Sequence, residues 1–84
     1  MKIDNKYFKI TNINLAIFLY VYDQQIVGIN PINDKQKEFV FIKTLQLEEL
    51  EHLYKFGDRK NKKLLIPVHK YEIARKELLD RLKN

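Results

Sequence analysis

The chain has 84 residues, 45% of them hydrophobic, with two glycines, two prolines and no cysteine, and carries a formal charge of +5. That length allows one domain over residues 1–84 and a small core, burying somewhat over ~60% of the surface of the unfolded chain. The missing cysteines exclude disulfides, thiolate nucleophiles and cysteine-based zinc sites.

The opening "MKIDNKYFKI" is charged and lacks the apolar core of a signal peptide. The longest apolar run, Leu15 to Tyr22, has eight residues, against ~20 for a bilayer span. A cytoplasmic protein with no membrane partner is the expectation.

In chain order, Lys6 to Ile10 is short, apolar and rich in β-formers, and reads as a first strand. The segment "TNINLAIFLYVYD" is apolar on every face after Asn14. Thr11 or Asn12 could cap a helix there, one buried on most sides against a sheet; a buried strand is the alternative. "QIVGINPIND" reads as a strand through Ile32. Pro31 lacks the N–H of a central ladder, so this strand belongs at an edge or entering a turn. "EFVFIKT" places Phe39 and Phe41 on one face and Val40 and Ile42 on the other, the pattern of a central strand covered on both sides.

"LQLEELEHLYKFG" has Leu47, Leu50, Leu53 and Tyr54 at helical spacing and Gly57 placed to end the helix. After a basic loop, "LLIPV" reads as a short extended piece. The last segment, "HKYEIARKELLDRLKN", is a helix with Tyr71, Ala74, Leu78 and Leu82 in one arc. Glu72 with Lys76, and Glu77 with Arg81, are spaced for i,i+4 pairing. The order β-α-β-β-α-(short β)-α belongs to a small α+β fold, a single-layer sheet packed with helices.

"YFKITNINLAIFL", "IVGINPINDKQKEFVFIKT", "LEELEHLYKFG" and "LLIPVHKYEIARKELLDRL" together resemble a small uncharacterised family, a domain of unknown function from phages and mobile elements of low-GC Gram-positive bacteria. The chain departs from that pattern by having no glycine directly after its first helix and by its expanded "DRKNKK". The resemblance implies a phage or mobile-element setting and a non-catalytic role, and carries no functional residue across.

Catalytic signatures are sparse. The chain has no serine, no cysteine and no Gly-rich phosphate loop. Glu48 and His52, four residues apart, are the smallest fragment of a metal or acid/base site, on a face shared with Glu49, Glu51 and Lys55 that reads as solvated. His69, near the start of the last helix, reads as a capping or surface residue. No catalytic residue, metal site or cofactor is expected, and the chain is not expected to be an enzyme.

Charge is distributed unevenly: residues 1–54 carry net −1 and residues 55–84 net +6. The last helix mixes Lys70, Lys76, Arg81 and Lys83 with Glu72, Glu77 and Asp80, so the surplus concentrates in residues 55–63, where five cations face Asp58 alone. Thirteen lysines against three arginines also fit the codon bias of an AT-rich gene. Arg59, Lys60, Lys62 and Lys63 are the candidate nucleic-acid-binding residues, able to contact about four phosphates without reading bases. A solvated connection and a loop that meets an acidic protein partner remain open, the latter as a factor that inhibits or modulates a host defence or regulatory protein. A homodimer through a sheet edge or the apolar first helix is a further possibility.

Overall fold

The structure, a computed structural model, describes residues 6–82. The expectations for the extreme N-terminus and for Lys83 lie outside them. Strand β1 (Tyr7–Ile10) leads into helix α1 (Ile13–Val21), strands β2 (Ile26–Pro31) and β3 (Lys37–Ile42), helix α2 (Leu45–Phe56) and helix α3 (Val68–Leu82). The sheet order is β1-β3-β2 with both pairings antiparallel, so β1-α1-β2 is a βαβ unit split by β3. This is the α+β architecture expected from the sequence, with "EFVFIKT" as the central strand and Pro31 closing an edge strand.

The ambiguous apolar run is a helix. Asn12 caps it, its side chain accepting from the backbone N–H groups of Asn14 and Leu15. Leu15, Ala16, Ile17, Phe18 and Leu19 are all buried, which no half-covered helix could achieve. They meet Ile26, Phe39 and Phe41 of the sheet, Leu47 and Leu50 of α2, and Ala74 and Leu78 of α3. Each of the leucine, isoleucine and phenylalanine side chains in this set contributes about 1.5–3 kcal/mol on burial. The apolar stretch Leu15 to Leu19 is thus enclosed by the chain itself.

Helix α1 ends in a paired-carbonyl turn. Gln24 N–H donates to the Leu19 carbonyl and Asp23 N–H to the Tyr20 carbonyl, with Asp23 at φ 65° in the position usually given to glycine. This accounts for the absence of a glycine after the first helix. Gln24 is the buried polar side chain that follows. Its amide donates to the Tyr22 carbonyl and to Gln46, and its oxygen accepts from the Thr44 hydroxyl, which itself caps α2 by accepting from Leu47 N–H.

Two expectations are corrected. Strand β3 is not covered on both faces by helices: Phe39 and Phe41 enter the core, whereas Val40 and Ile42 lie outside the core cluster. Val40 is nevertheless buried, and the open space lies across the ladder from it, where a Cβ built on Gly28 would meet nothing within 4 Å. The piece after the basic loop is not a strand either. A 3-10 turn occupies Lys62–Leu64, capped by Asn61, and the Pro67 carbonyl already accepts from Tyr71 N–H to start α3. Only residues 65–67 remain between cap and helix, and they pair with no strand.

Gly57 ends α2 by close approach rather than by a left-handed turn. Its backbone is extended, at φ −73° and ψ 156°, and its N–H donates to the Leu53 carbonyl at 2.7 Å. A Cβ there would stand 2.5 Å from that carbonyl oxygen and 2.6 Å from Leu53 Cδ1. Backbone cannot yield as a flexible side chain would. Gly57→Ala is therefore expected to lower stability by about 1–3 kcal/mol, read as a lower denaturant midpoint in circular dichroism; an unchanged midpoint would show that the helix end relaxes freely.

Candidate functional site

The basic loop begins where α2 stops at Gly57. Asp58 turns the chain, its carboxylate accepting from Lys60 N–H at 2.9 Å and its carbonyl from Asn61 N–H at 2.8 Å. Asn61 then starts the 3-10 turn, its side chain accepting from Lys63 N–H at 2.9 Å. Asp58 and Asn61 are short polar residues of the kind that bond their own backbone two residues on. The Tyr22 hydroxyl donates to the Lys63 carbonyl at 2.6 Å and ties the loop to the end of α1. The loop backbone is thus anchored, while Arg59, Lys60, Lys62 and Lys63 are all exposed.

None of these four cations has an ion-pair partner among the described residues. Lys55, the fifth cation of the stretch, differs: it pairs with Glu51 one helical turn earlier. Arg59, Lys60, Lys62 and Lys63 thus share one short exposed segment by their position in the chain, and Lys55 is set apart from them by its pairing with Glu51.

The last helix does not form its expected internal pairs, neither of which is among the ion pairs of the described residues. Glu77 instead accepts from the Tyr20 hydroxyl at 2.8 Å, and the Arg81 guanidinium lies 5.5 Å from the Tyr20 ring centroid. The hydrogen bond to Glu77 is the main influence raising the Tyr20 pKa above its ordinary value, with burial and the Glu77 charge adding to it and Arg81 opposing. Tyr20, reaching from α1, offers both side chains a partner at the helix interface. Lys70, Arg75 and Lys76 consequently remain exposed and unpaired among the described residues.

Glu48 and His52 line one groove along α2 without a bond between them. Glu48 stands 4.0 Å from Lys43, and the His52 ring lies 5.0 Å from Phe56. No group of three or more His, Asp or Glu side chains among the described residues could hold a metal ion. His69 is exposed in the first turn of α3.

Beside the loop is a feature that sequence reasoning missed, a crevice lined by Asn14, Phe18, Tyr54, Leu64, Ile66 and Tyr71. Leu64 is the last residue of the 3-10 turn, so the crevice wall continues directly into Lys62 and Lys63. Phe18 packs edge-on against Tyr22, the residue that anchors the loop, at 5.2 Å between centroids, and against Tyr54 at 5.3 Å. Tyr71 donates to the Asn14 side-chain oxygen at 3.1 Å across 57 residues of sequence. Burial pushes the Tyr54 phenol above its ordinary pKa, with Tyr71 adding to the effect. The available signal was that Tyr54 and Tyr71 flank the loop, but their meeting with Asn14 is a tertiary fact.

No known protein family, curated protein or solved structure matches the chain. No helix among the described residues is long and apolar enough to cross a membrane.

Among the described residues, the Tyr22 hydrogen bond is the side-chain tie between the end of α1 and the loop backbone, which makes it testable alone. Tyr22→Phe is expected to cost about 0.5–1.5 kcal/mol and to speed amide hydrogen exchange selectively at residues 61–65. Uniform change across the chain, or none, would show that the loop is held by other contacts.

Proposed function

We propose that this chain is a small non-catalytic binding module that contacts nucleic-acid phosphates through Arg59, Lys60, Lys62 and Lys63. The observation that carries this reading is an anchored loop backbone presenting four exposed cations without ion-pair partners among the described residues. An unpaired lysine or arginine loses no existing salt bridge when it meets a phosphate, so its attraction goes to the ligand. The net +6 of residues 55–84 extends the attraction beyond the loop.

Four cations on one loop support affinity in about the micromolar range, strongly dependent on salt and indifferent to base sequence. Recognition of a base sequence in duplex DNA needs an element in the major groove with side chains on base edges. Helix α3 does not offer an uninterrupted cationic stripe for that purpose, since Glu72 and Asp80 interrupt it. A phage or mobile-element setting, suggested by the family resemblance, is compatible with such a module and belongs to the same proposal.

Fluorescence anisotropy titrations with labelled DNA over a salt series test the reading. Wild type is expected to bind with log K falling linearly in log salt, at a slope of about −3 for a strand contacting four phosphates. The variant with Arg59, Lys60, Lys62 and Lys63 all changed to Glu should bind at least ~30-fold more weakly at low salt, from loss of those contacts. Equal binding by wild type and variant would remove the loop from the interface.

A further inference from the structure

We infer that the crevice beside the loop receives an unstacked base of a single-stranded nucleic acid whose phosphates lie on the loop cations. This rests on the phosphate-binding reading and adds to it the form of the nucleic acid.

Three observations select this occupant. First, the walls are suited to a flat ring. Half-buried Tyr54 and Tyr71 supply aromatic surface, buried Phe18 closes the floor, and Leu64 and Ile66 complete the apolar part of the lining, in a cavity of about 380 Å³, within the range of roughly 300–1,000 Å³ typical of small-ligand sites. Every base has a π-face, so stacking of this kind tolerates any sequence.

Second, the polar groups at the crevice are unspent. Asn14 uses its side-chain oxygen to accept from Tyr71, which leaves its amide group free to donate. The Tyr54 hydroxyl has no hydrogen-bond partner among the described residues, and it is not among buried polar atoms lacking a partner, so it is accessible. Both groups can bond to the edge of a base exposed by unpairing, which a duplex does not offer.

Third, the charge pattern distinguishes this crevice from grooves along α2 and α3. The groove along α2 is lined by Glu48 and Glu49 together with His52, and the groove along α3 mixes Glu72 and Asp80 with Arg75 and Lys76. The carboxylates of the α2 groove would repel a phosphodiester backbone, and those of the α3 groove offset the attraction of its two cations. The crevice contains no carboxylate, and its Leu64 wall is one residue, or about 3.8 Å of chain, from Lys63. A base in the crevice and its own phosphates on the loop are therefore compatible within a single nucleotide's reach.

The test compares ligands of matched negative charge on the full chain: oligothymidylate, oligouridylate, an abasic oligonucleotide of the same length, a duplex, and polyglutamate as an acidic peptide. Anisotropy reports affinity, and tyrosine fluorescence reports stacking directly, because the chain has five tyrosines and no tryptophan. We expect a base-bearing strand to bind about tenfold more tightly than the abasic one, from one stacked base, and to quench tyrosine emission where the abasic strand does not. Asn14→Ala and Tyr54→Leu, each checked for folding by circular dichroism, should narrow the gap between base-bearing and abasic strands. Equal binding of abasic, duplex and base-bearing ligands would overturn the base site and leave phosphate binding standing. Absence of binding to every nucleic acid would overturn both, as would polyglutamate binding at least as tightly as the base-bearing strands.

Discussion

Helix α1 has no polar face along Leu15 to Leu19, and a helix of that kind has to be enclosed on all sides. The three-stranded sheet covers one side, through Ile26, Phe39 and Phe41, and α2 and α3 cover the rest with Leu47, Leu50, Ala74 and Leu78. The enclosure also sets where the last turn of α1 places its tyrosines. Tyr20 reaches α3 at Glu77 and Arg81, and Tyr22 reaches the backbone at Lys63. The cationic loop is thus tied, through one hydroxyl, to the most buried element of the protein.

The polar residues around that core divide into those consumed internally and those left over. Gln24, Thr44 and Gln46 form a linked set that joins the end of α1 to the start of α2. Glu51 holds Lys55, and Glu77 holds the Tyr20 hydroxyl. What remains unspent around the loop is four cations, the Asn14 amide group and the Tyr54 hydroxyl. An anionic ligand with hydrogen-bonding edges would satisfy all of these. That complementarity links the proposed phosphate contacts to the proposed base site.

Much of the architecture was legible because its signals are local. A cap at Thr11 or Asn12, the edge position of Pro31, the Phe39 and Phe41 alternation and the leucine spacing of α2 each follow from a few adjacent residues, and the fold selects Asn12. The open outer face of the sheet was not legible, because Val40 and Ile42 are as apolar as a covered face would require and no neighbour in sequence reports what lies above them. The fate of Glu77 and Arg81 was hidden similarly: their spacing suits a pair, but Tyr20, 57 residues away from Glu77, offers Glu77 a hydrogen bond and Arg81 its ring face. As for the site, the cations of the loop are visible as composition, whereas the crevice exists only once Asn14, Phe18, Tyr54 and Tyr71 are folded together.

The central claim is one of location: the loop and the crevice beside it form one continuous binding surface. Amide and aromatic chemical-shift mapping of isotope-labelled protein, titrated with a short single-stranded oligonucleotide at low salt, tests it most directly. The account predicts perturbations confined to residues 58–66 and to Asn14, Phe18, Tyr22, Tyr54 and Tyr71. Perturbations centred instead on Tyr7, Gly28, Val40 and Ile42 of the open sheet face, with the loop unmoved, would contradict it.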